Sequence, residues 1–310
     1  MFFQNAHLGR NAWWRWLLTI VLVITIWLLS HIPVVGFMEV MRRRLGLGDE
    51  AFLSGAFPEG VNRNLFLALA LLPFVVAFFA LWLLIQWIHR KPFLSVITGR
   101  DRFDWRRAFV GLVVGLAVSV IGTFAILPAD SYRWQYSAQT FWPLLAIALA
   151  MIPLQSATEE IFFRGYLMQG LSLILKNKIA PLIIVTLLFS LAHLGNPEFA
   201  ATYNKVLVVY LLLSVLFGLC AVMDDGLEIS CGLHASNNIF LAVVLSPEDG
   251  SLPSYSLFTT HLAPVLKYSP WLDIALTVLT FGVLAVMYRW RFATLTESTA
   301  PPKALQPVQV

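Results

Sequence analysis

The segment LFLALALLPFVVAFFALWLLIQWI (residues 65–88) contains no acidic or basic side chain. A helix that crosses a bilayer needs about 20 mainly apolar residues, so this segment predicts a membrane-spanning helix. Of the 310 residues in the chain, 59% are hydrophobic and only 12% are charged. Soluble domains contain roughly 25% charged residues, and one of this size could not bury so much apolar surface. We therefore predict an integral membrane protein.

Seven further segments qualify as membrane spans, although two of them are short and contain polar groups. The eight segments are 14–34, 65–88, 108–127, 141–160, 179–194, 206–223, 227–245 and 271–289. Tryptophan and tyrosine lie at several segment ends, as expected where helices meet the membrane interface. The sequence predicts an all-α fold, a polytopic bundle of about eight transmembrane helices in a single domain over residues 1–291. Residues 292–310 are polar and contain prolines, and we expect them to form a disordered cytoplasmic tail.

The basic residues predict the orientation of the bundle, because lysine and arginine accumulate in cytoplasmic loops. The loop between the second and third spans contains Arg90, Lys91, Arg100, Arg102, Arg106 and Arg107. With eight spans, both termini then lie in the cytoplasm, and we expect the inner (plasma) membrane of a bacterial cell. One basic triplet falls on the opposite side, and it lies beside acidic residues with which it can form an ion-paired surface helix. These residues are Arg42, Arg43 and Arg44 with Glu39, Asp49 and Glu50.

The charge and cysteine content exclude two classes of function. The net charge of +4 includes no basic stripe with interleaved aromatic residues, so nucleic-acid binding is not expected. Cys220 and Cys231 lie in apolar runs, where cysteine behaves as a small apolar packing residue. Two cysteines cannot form a thiolate metal site.

The fourth predicted span ends in polar residues, in the sequence LQSATEEIFFRGYL (154–167). An ionisable side chain at mid-bilayer costs at least about 2.5 kcal/mol, so it needs a partner or a water-filled cavity. On a helix, Glu160 and Arg164 share a face and can form an ion pair. Glu159 points about 100° away, which leaves its carboxylate available as a base. The alternative is that both glutamates only mark a helix end at the headgroups.

The fifth and seventh predicted spans also contain polar side chains at helical spacing. Phe189 and His193 are four residues apart, as are His234 and Asn238, so each pair lies on one helical face. Taken separately, His193 is typical of an interfacial residue, and the second pair is typical of polar contacts between helices. A carboxylate, two imidazoles and a carboxamide together are the groups needed to activate water and stabilise an oxyanion.

These motifs, in this order, resemble the CPBP family of intramembrane proteases, which includes the type II CAAX prenyl endopeptidases and Abi-like bacteriocin-processing proteins. The family pattern is a glutamate pair with an arginine four residues after the second glutamate, then phenylalanine and histidine four apart, then histidine and asparagine four apart. The matching residues here are Glu159, Glu160, Arg164, Phe189, His193, His234 and Asn238. The match spans residues 141–245.

The resemblance implies a CAAX-type intramembrane endopeptidase in which Glu159 is the base that activates water. It implies that His234 holds or polarises that water and that Arg164 organises Glu160. His193 and Asn238 are then expected to support the substrate carbonyl and its oxyanion. The implied partners are membrane lipid and a membrane-associated peptide or protein substrate, prenylated or not.

The resemblance leaves open whether a metal takes part, since members are labelled metalloproteases while a metal-free glutamate mechanism is also proposed. Glu159, His193 and His234 are a reasonable ligand set for one divalent metal such as zinc, with an open position for water. The chain has no HExxH motif. Three ligands from three spans would need an accurately fixed site, so we favour the metal-free mechanism.

Two further questions remain open in the sequence. A non-catalytic membrane protein, such as an immunity or transport-type protein, could use the same polar cavity. The span limits also place His193 near the outer end of the fifth span, away from Glu159 and His234. A helix over 165–178 that extends beyond the membrane and folds back would allow the three side chains to meet.

Overall fold

The computed structural model describes residues 1–46 and 57–300, and these residues are mainly helical. The helices are α1 (Trp13–Leu29), α2 (Ile32–Leu45), α3 (Arg63–Leu84), α4 (Trp105–Phe124), α5 (Ala138–Glu160), α6 (Met168–Leu175), α7 (Ile179–Ala192), α8 (Glu198–Met223), α9 (Glu228–Ile239), α10 (Leu262–Val265) and α11 (Trp271–Tyr288). Three π-helical segments continue α3, α5 and α9, over Ile85–His89, Ile161–Leu167 and Phe240–Val244. Short 3-10 helices cover Gln4–His7, Phe93–Val96, Ala129–Ser131, Leu266–Tyr268 and Phe292–Thr296.

Six helical stretches of the described chain are long and apolar enough to cross a membrane. They are Trp13–Leu45, Arg63–His89, Trp105–Phe124, Ala138–Leu175, Tyr203–Met223 and Trp271–Tyr288, with Ile179–Ala192 as a shorter apolar helix. The predicted fold class, a polytopic helical membrane bundle, is confirmed. The first stretch bends at Ser30 and His31, and α2 then begins with Pro33 in its first turn, where proline costs no helical hydrogen bond.

The arginine triplet on α2 is partly ion-paired, as the sequence suggests. Glu39 accepts hydrogen bonds from Arg42 at 2.7 Å and from Arg43 at 2.6 Å. Asp49 and Glu50, the other acidic residues considered for this cluster, lie outside the described residues.

The fourth span extends well beyond the limit at residue 160 that the sequence suggested. The helix continues from α5 through Ile161–Leu167 into α6, about 22 Å past Glu160 at 1.5 Å per residue. After the turn at Lys176, α7 returns over 14 residues, a nearly equal length. The Phe189 ring accordingly lies 5.2 Å from the Phe163 ring. The end of α7 therefore lies at the level of the glutamate pair, which removes the depth conflict raised for His193.

Helix α9 is short and polar, yet it lies at the centre of the bundle. All of its residues are buried except Asn237 and Asn238, which are partly buried. Gly111 and Gly115 form a GxxxG pair on α4, and a Cβ atom at Gly111 would overlap the carbonyl of Ile229 on α9. Small residues at this spacing let helix backbones approach closely in membranes. Because neighbouring helices surround α9, its polar side chains do not face lipid.

A small sheet is an addition to the predicted all-α architecture. Its strands are β1 (Tyr132–Trp134), β2 (Leu245–Pro247) and β3 (Phe258–Thr260). The central strand β3 is antiparallel to β1 and parallel to β2. Since β1 precedes α5 and β2 follows the π turn after α9, the sheet ties together the two helices that carry most of the motif residues.

The chain after α11 begins with ordered contacts, which differs from the disorder expected for 292–310. Phe292–Thr296 is a 3-10 helix, and Lys178 donates a hydrogen bond to the Thr294 carbonyl at 2.7 Å. This contact satisfies the ammonium of a lysine that is only 7% exposed. Residues 301–310, the rest of the predicted tail, lie outside the described residues.

Candidate functional site

The glutamate pair lies in the last turn of α5, where the helix changes to π-helical geometry. The spacing predicts that Glu160 pairs with Arg164, and the structure contains this ion pair at 3.0 Å with side-chain exposures of 0% and 1%. Arg164 also donates to the Ser214 hydroxyl at 2.7 Å and lies 4.2 Å from the centre of the Phe189 ring. Short π-helical segments inside α-helices occur frequently at functional sites.

The His234 imidazole connects the two glutamates. Its Nδ1 atom lies 2.8 Å from Glu160 Oε1, and its Nε2 atom lies 3.4 Å from Glu159 Oε2. The Phe217 ring stacks on the imidazole with 4.9 Å between ring centres. The side chain is buried at 4% exposure, so its orientation is held by these contacts.

A glutamine that the sequence reasoning did not select joins Glu159 to the asparagine of α9. Gln155 Nε2 donates to Glu159 Oε1 at 2.9 Å, and Gln155 Oε1 accepts from Asn238 Nδ2 at 2.8 Å. The signal was present, because Gln155 lies four residues before Glu159 on the same face of an apolar helix. A buried amide at such a position needs partners, and two of its three partners are predicted site residues, the third being the neighbouring Ser156 hydroxyl.

The other carboxylate oxygen of Glu159, Oε2, faces His234 and accepts no hydrogen bond among the described residues. This oxygen is buried. An unpaired buried carboxylate oxygen is costly. The position is therefore suited to receive a hydrogen bond from a bound molecule.

His193 lies at the end of α7 and is more loosely connected to this group. Its Nδ1 atom lies 2.7 Å from the Phe189 carbonyl oxygen, and its ring lies 4.4 Å from the Phe189 ring. Phe189 also lies 5.9 Å from His234, so this ring separates the two imidazoles. Among the described residues, no hydrogen bond or ring contact joins His193 directly to Glu159 or His234.

The possible metal ligands Glu159, His193 and His234 do not form a coordination group. Over residues 1–46 and 57–300, no three histidine, cysteine, aspartate or glutamate side chains are arranged to hold a metal ion. The Phe189 ring lies 4.4 Å from the His193 ring and 5.9 Å from the His234 ring, so it separates the two imidazoles that would have to bind one metal ion. Because the donor set does not fit a metal, the metalloendopeptidase assignment is not supported, and we derive no step through a metal.

The fold and site define a class of protein: a polytopic membrane protein whose bundle centre contains a buried and a partly buried carboxylate joined by an imidazole. Residues 140–240 match the family described as Rce1-like, type II CAAX prenyl endopeptidase Rce1-like. The chain is also 30% identical over 295 residues to the uncharacterized protein YyaK of Bacillus subtilis (strain 168), covering 90% of this chain and 93% of that protein. No solved structure matches the chain.

This chain belongs to the Rce1-like type II CAAX prenyl endopeptidase family, which confirms the resemblance seen in the sequence. The family is one of proteases, and the helical bundle makes this member an integral membrane protein. The matched range contains all three motif elements, from the glutamate pair to Asn238.

Proposed function

We propose that this protein is an intramembrane endopeptidase in which Glu159 takes a proton from the water that attacks a peptide bond. The observation that carries the proposal is the His234 imidazole, which lies between the carboxylates of Glu160 and Glu159. Membership of a protease family supports the same conclusion.

The hydrogen bonds of His234 indicate which ring nitrogen carries a proton. Glu160 Oε1 accepts from Arg164, which is the behaviour of an ionised carboxylate, and it also faces His234 Nδ1. Since a carboxylate only accepts, Nδ1 carries the proton and Nε2 of the neutral ring is an acceptor. A water molecule that approaches Glu159 Oε2 and His234 Nε2 therefore meets two acceptors. This pair can hold and polarise the water.

The chemical step follows from this arrangement. Glu159 accepts one proton of the water while the water oxygen bonds to the substrate carbonyl carbon. The C–N bond then breaks, and Glu159 returns the proton to the leaving nitrogen. Asn238 Nδ2 has two N–H donors, of which Gln155 accepts one, so the second can stabilise the oxyanion.

His193 can support the oxyanion only as an imidazolium. Its Nδ1 atom faces a carbonyl oxygen, which accepts, so Nδ1 carries the proton in the neutral ring. The Nε2 atom donates a hydrogen bond to a substrate oxygen only when it is protonated as well. The role implied for His193 therefore requires the charged form of the ring in the complex with substrate.

The proposed substrate is a membrane-associated peptide or protein. A direct test uses two fluorescence-quenched peptides of one sequence that end in cysteine, two aliphatic residues and a variable residue, one farnesylated on the cysteine and one free. We expect purified protein in lipid vesicles to cleave at least one of them. Cleavage of only the farnesylated peptide would define a prenyl-dependent substrate class. Transport of a peptide into sealed vesicles without cleavage would favour the non-catalytic alternative.

We expect that Gln155→Leu lowers the kcat for cleavage at least tenfold. The substitution removes three hydrogen bonds, one of them from the Ser156 hydroxyl, and leaves Glu159 Oε1 and Asn238 without their shared partner. Buried polar groups left unpaired cost about 1–3 kcal/mol each, so the melting temperature should fall as well. Turnover of the cleaved peptide measures the effect, with Gln86→Leu on an exposed face as the control. Equal turnover in both variants would contradict the bridging role.

We also propose that both termini face the cytoplasm, from the basic loop between α3 and α4 and the Arg289 and Arg291 pair after α11. Reporter fusions after Arg107 and after Lys303 should both show cytoplasmic activity. A reporter signal from the opposite side of the membrane at either position would overturn this orientation.

A further inference from the structure

His193 lies at the end of α7, where its own helix makes few contacts with the side chain. It is the first residue after α7, and among the described residues its side chain has one hydrogen-bond partner, the Phe189 carbonyl in the preceding turn of the same helix. A side chain at a helix end retains rotational freedom unless another element contacts it. Catalytic groups need fixed orientation, since misplacement by ~1 Å can cost about 100-fold in rate.

The contact from another element comes from Tyr210 on α8. The rings of Tyr210 and His193 lie 4.6 Å apart at an interplanar angle of 32°. Within the described residues, Tyr210 is the only aromatic residue outside α7 whose ring contacts the His193 ring. The position of Tyr210 therefore determines where the imidazole can lie.

Tyr210 is in turn held by a buried carboxylate. Its hydroxyl donates to Glu198 Oε1 at 2.5 Å and accepts from Asn196 Nδ2 at 2.9 Å. Glu198 Oε1 also accepts from Asn196 and from the Ser251 hydroxyl, both at 3.2 Å. Several donors on one oxygen are typical of an ionised carboxylate, and hydrogen bonds to such a group are roughly twice as strong as neutral ones. Glu198 is only 9% exposed.

The network also connects three structural elements: the turn after α7, helix α8 and the loop before β3. Asn196 belongs to the turn after His193, Glu198 and Tyr210 are twelve residues apart on α8, and Ser251 belongs to the loop before β3. These hydrogen bonds therefore connect the turn next to His193 to α8, the helix that carries Tyr210.

We infer that Tyr210 and Glu198 are positioning residues that hold His193 with its Nε2 atom directed to the substrate carbonyl. The inference rests on the proposed protease function. Glu198 fixes the phenol through its hydroxyl, and the phenol ring fixes the imidazole. Neither residue belongs to the sequence motifs of the family resemblance.

The test compares Tyr210→Phe and Glu198→Gln with the wild-type protein in vesicles, using whichever of the two quenched peptides is cleaved. Each variant should lower kcat about tenfold, which is less than the ~100-fold loss expected when a catalytic group is displaced by about 1 Å. The KM should change less than twofold. The double variant should be no slower than Tyr210→Phe alone, because Tyr210→Phe removes the donor of the bond that Glu198→Gln weakens by making its acceptor neutral. Tyr203→Phe is the matched control, since Tyr203 lies on the same helix and is 51% exposed.

A spectroscopic measurement separates this inference from the proposed function. In protein labelled with nitrogen-15 only at its six histidines, the His193 signal can be assigned with His193→Gln. We expect one sharp His193 signal in the wild type, and a broadened or doubled signal in Glu198→Gln and Tyr210→Phe. An unchanged His193 signal in both variants would overturn the positioning role, whether or not a peptide is cleaved. A raised KM at unchanged kcat, or additive losses in the double variant, would also overturn it. Absence of cleavage by the wild type would count against the proposed function alone.

Discussion

Glu159→Gln should lower the kcat for peptide cleavage by about 100- to 10,000-fold, the range that a general base contributes. The carboxamide has nearly the same shape, but it cannot accept a proton from water. Its oxygen can still accept from Gln155 Nε2, the 2.9 Å bond that orients Glu159, and within the described part of the chain no group donates a hydrogen bond to Glu159 Oε2. The fold should therefore be retained, with a melting temperature close to that of the wild type. Turnover of the quenched peptides by purified protein in vesicles measures the effect.

The control for this substitution is a glutamate with a comparable partner outside the bundle centre. Glu248→Gln removes a carboxylate that pairs with Arg133 at 3.2 Å beside the small sheet. It should leave turnover unchanged. Full activity in Glu159→Gln, together with loss of activity in a folded Glu160→Gln variant, would show that the two glutamates have the opposite roles. Uptake of peptide that continues in both variants without any cleavage would point to transport.

Helical spacing was enough to predict the contacts within single helices. Glu160 and Arg164 are four residues apart and form the expected ion pair. His234 and Asn238 are also four residues apart, and they lie on one face of α9, the face that contacts α5. The ion pair and the shared face depend only on the geometry of one helix, so the sequence contains them directly.

Contacts between helices were less accessible from the sequence. Gln155 is a polar residue in an apolar helix, and only the fold shows that it joins Glu159 to Asn238. The Ser214 hydroxyl accepts a hydrogen bond from Arg164 on another helix, and nothing in the local sequence around Ser214 indicates this contact. Sequence reasoning also left Glu159 without a protein partner, whereas His234 and Gln155 both reach it. The periodicity of a sequence shows which residues share one face of a helix, but it does not show which other helix packs on that face.

Hydropathy was least informative at the functional centre. The seventh predicted span, 227–245, ranks low because it contains polar groups, yet α9 is the most enclosed of the helices that carry the motifs. The fourth predicted span ends at 160, at the glutamate pair and just before Arg164. In the structure these residues are neutralised by partners, and the helix continues to Leu175. A hydropathy scale treats each polar group as exposed to lipid, so it fails where such groups bind one another.

Glu160→Gln should destabilise the protein rather than mainly remove a reacting group. It leaves the Arg164 guanidinium, which is 1% exposed, without a carboxylate partner in the bundle centre. Removal of one member of a buried ion pair costs about 3–5 kcal/mol, because the remaining charge stays desolvated. The Ser214 hydroxyl and the Phe189 ring still contact Arg164, but neither carries a compensating charge. Unfolding by denaturing detergent in mixed micelles, followed by circular dichroism, measures the loss.

A second substitution distinguishes an unpaired charge from loss of packing. Glu160→Leu combined with Arg164→Met removes both charges and keeps apolar volume, so it should recover much of the stability lost in Glu160→Gln. A pair outside the bundle centre gives the matched control: the Arg133 and Glu248 side chains are 77% and 35% exposed, and Glu248→Gln should change the free energy of unfolding by less than about 1 kcal/mol. The double variant should nevertheless cleave slowly, because His234 Nδ1 then has no carboxylate to fix its proton. If Glu160→Gln unfolds like the wild type while the double variant is the less stable protein, the ion pair does not stabilise the bundle through charge compensation.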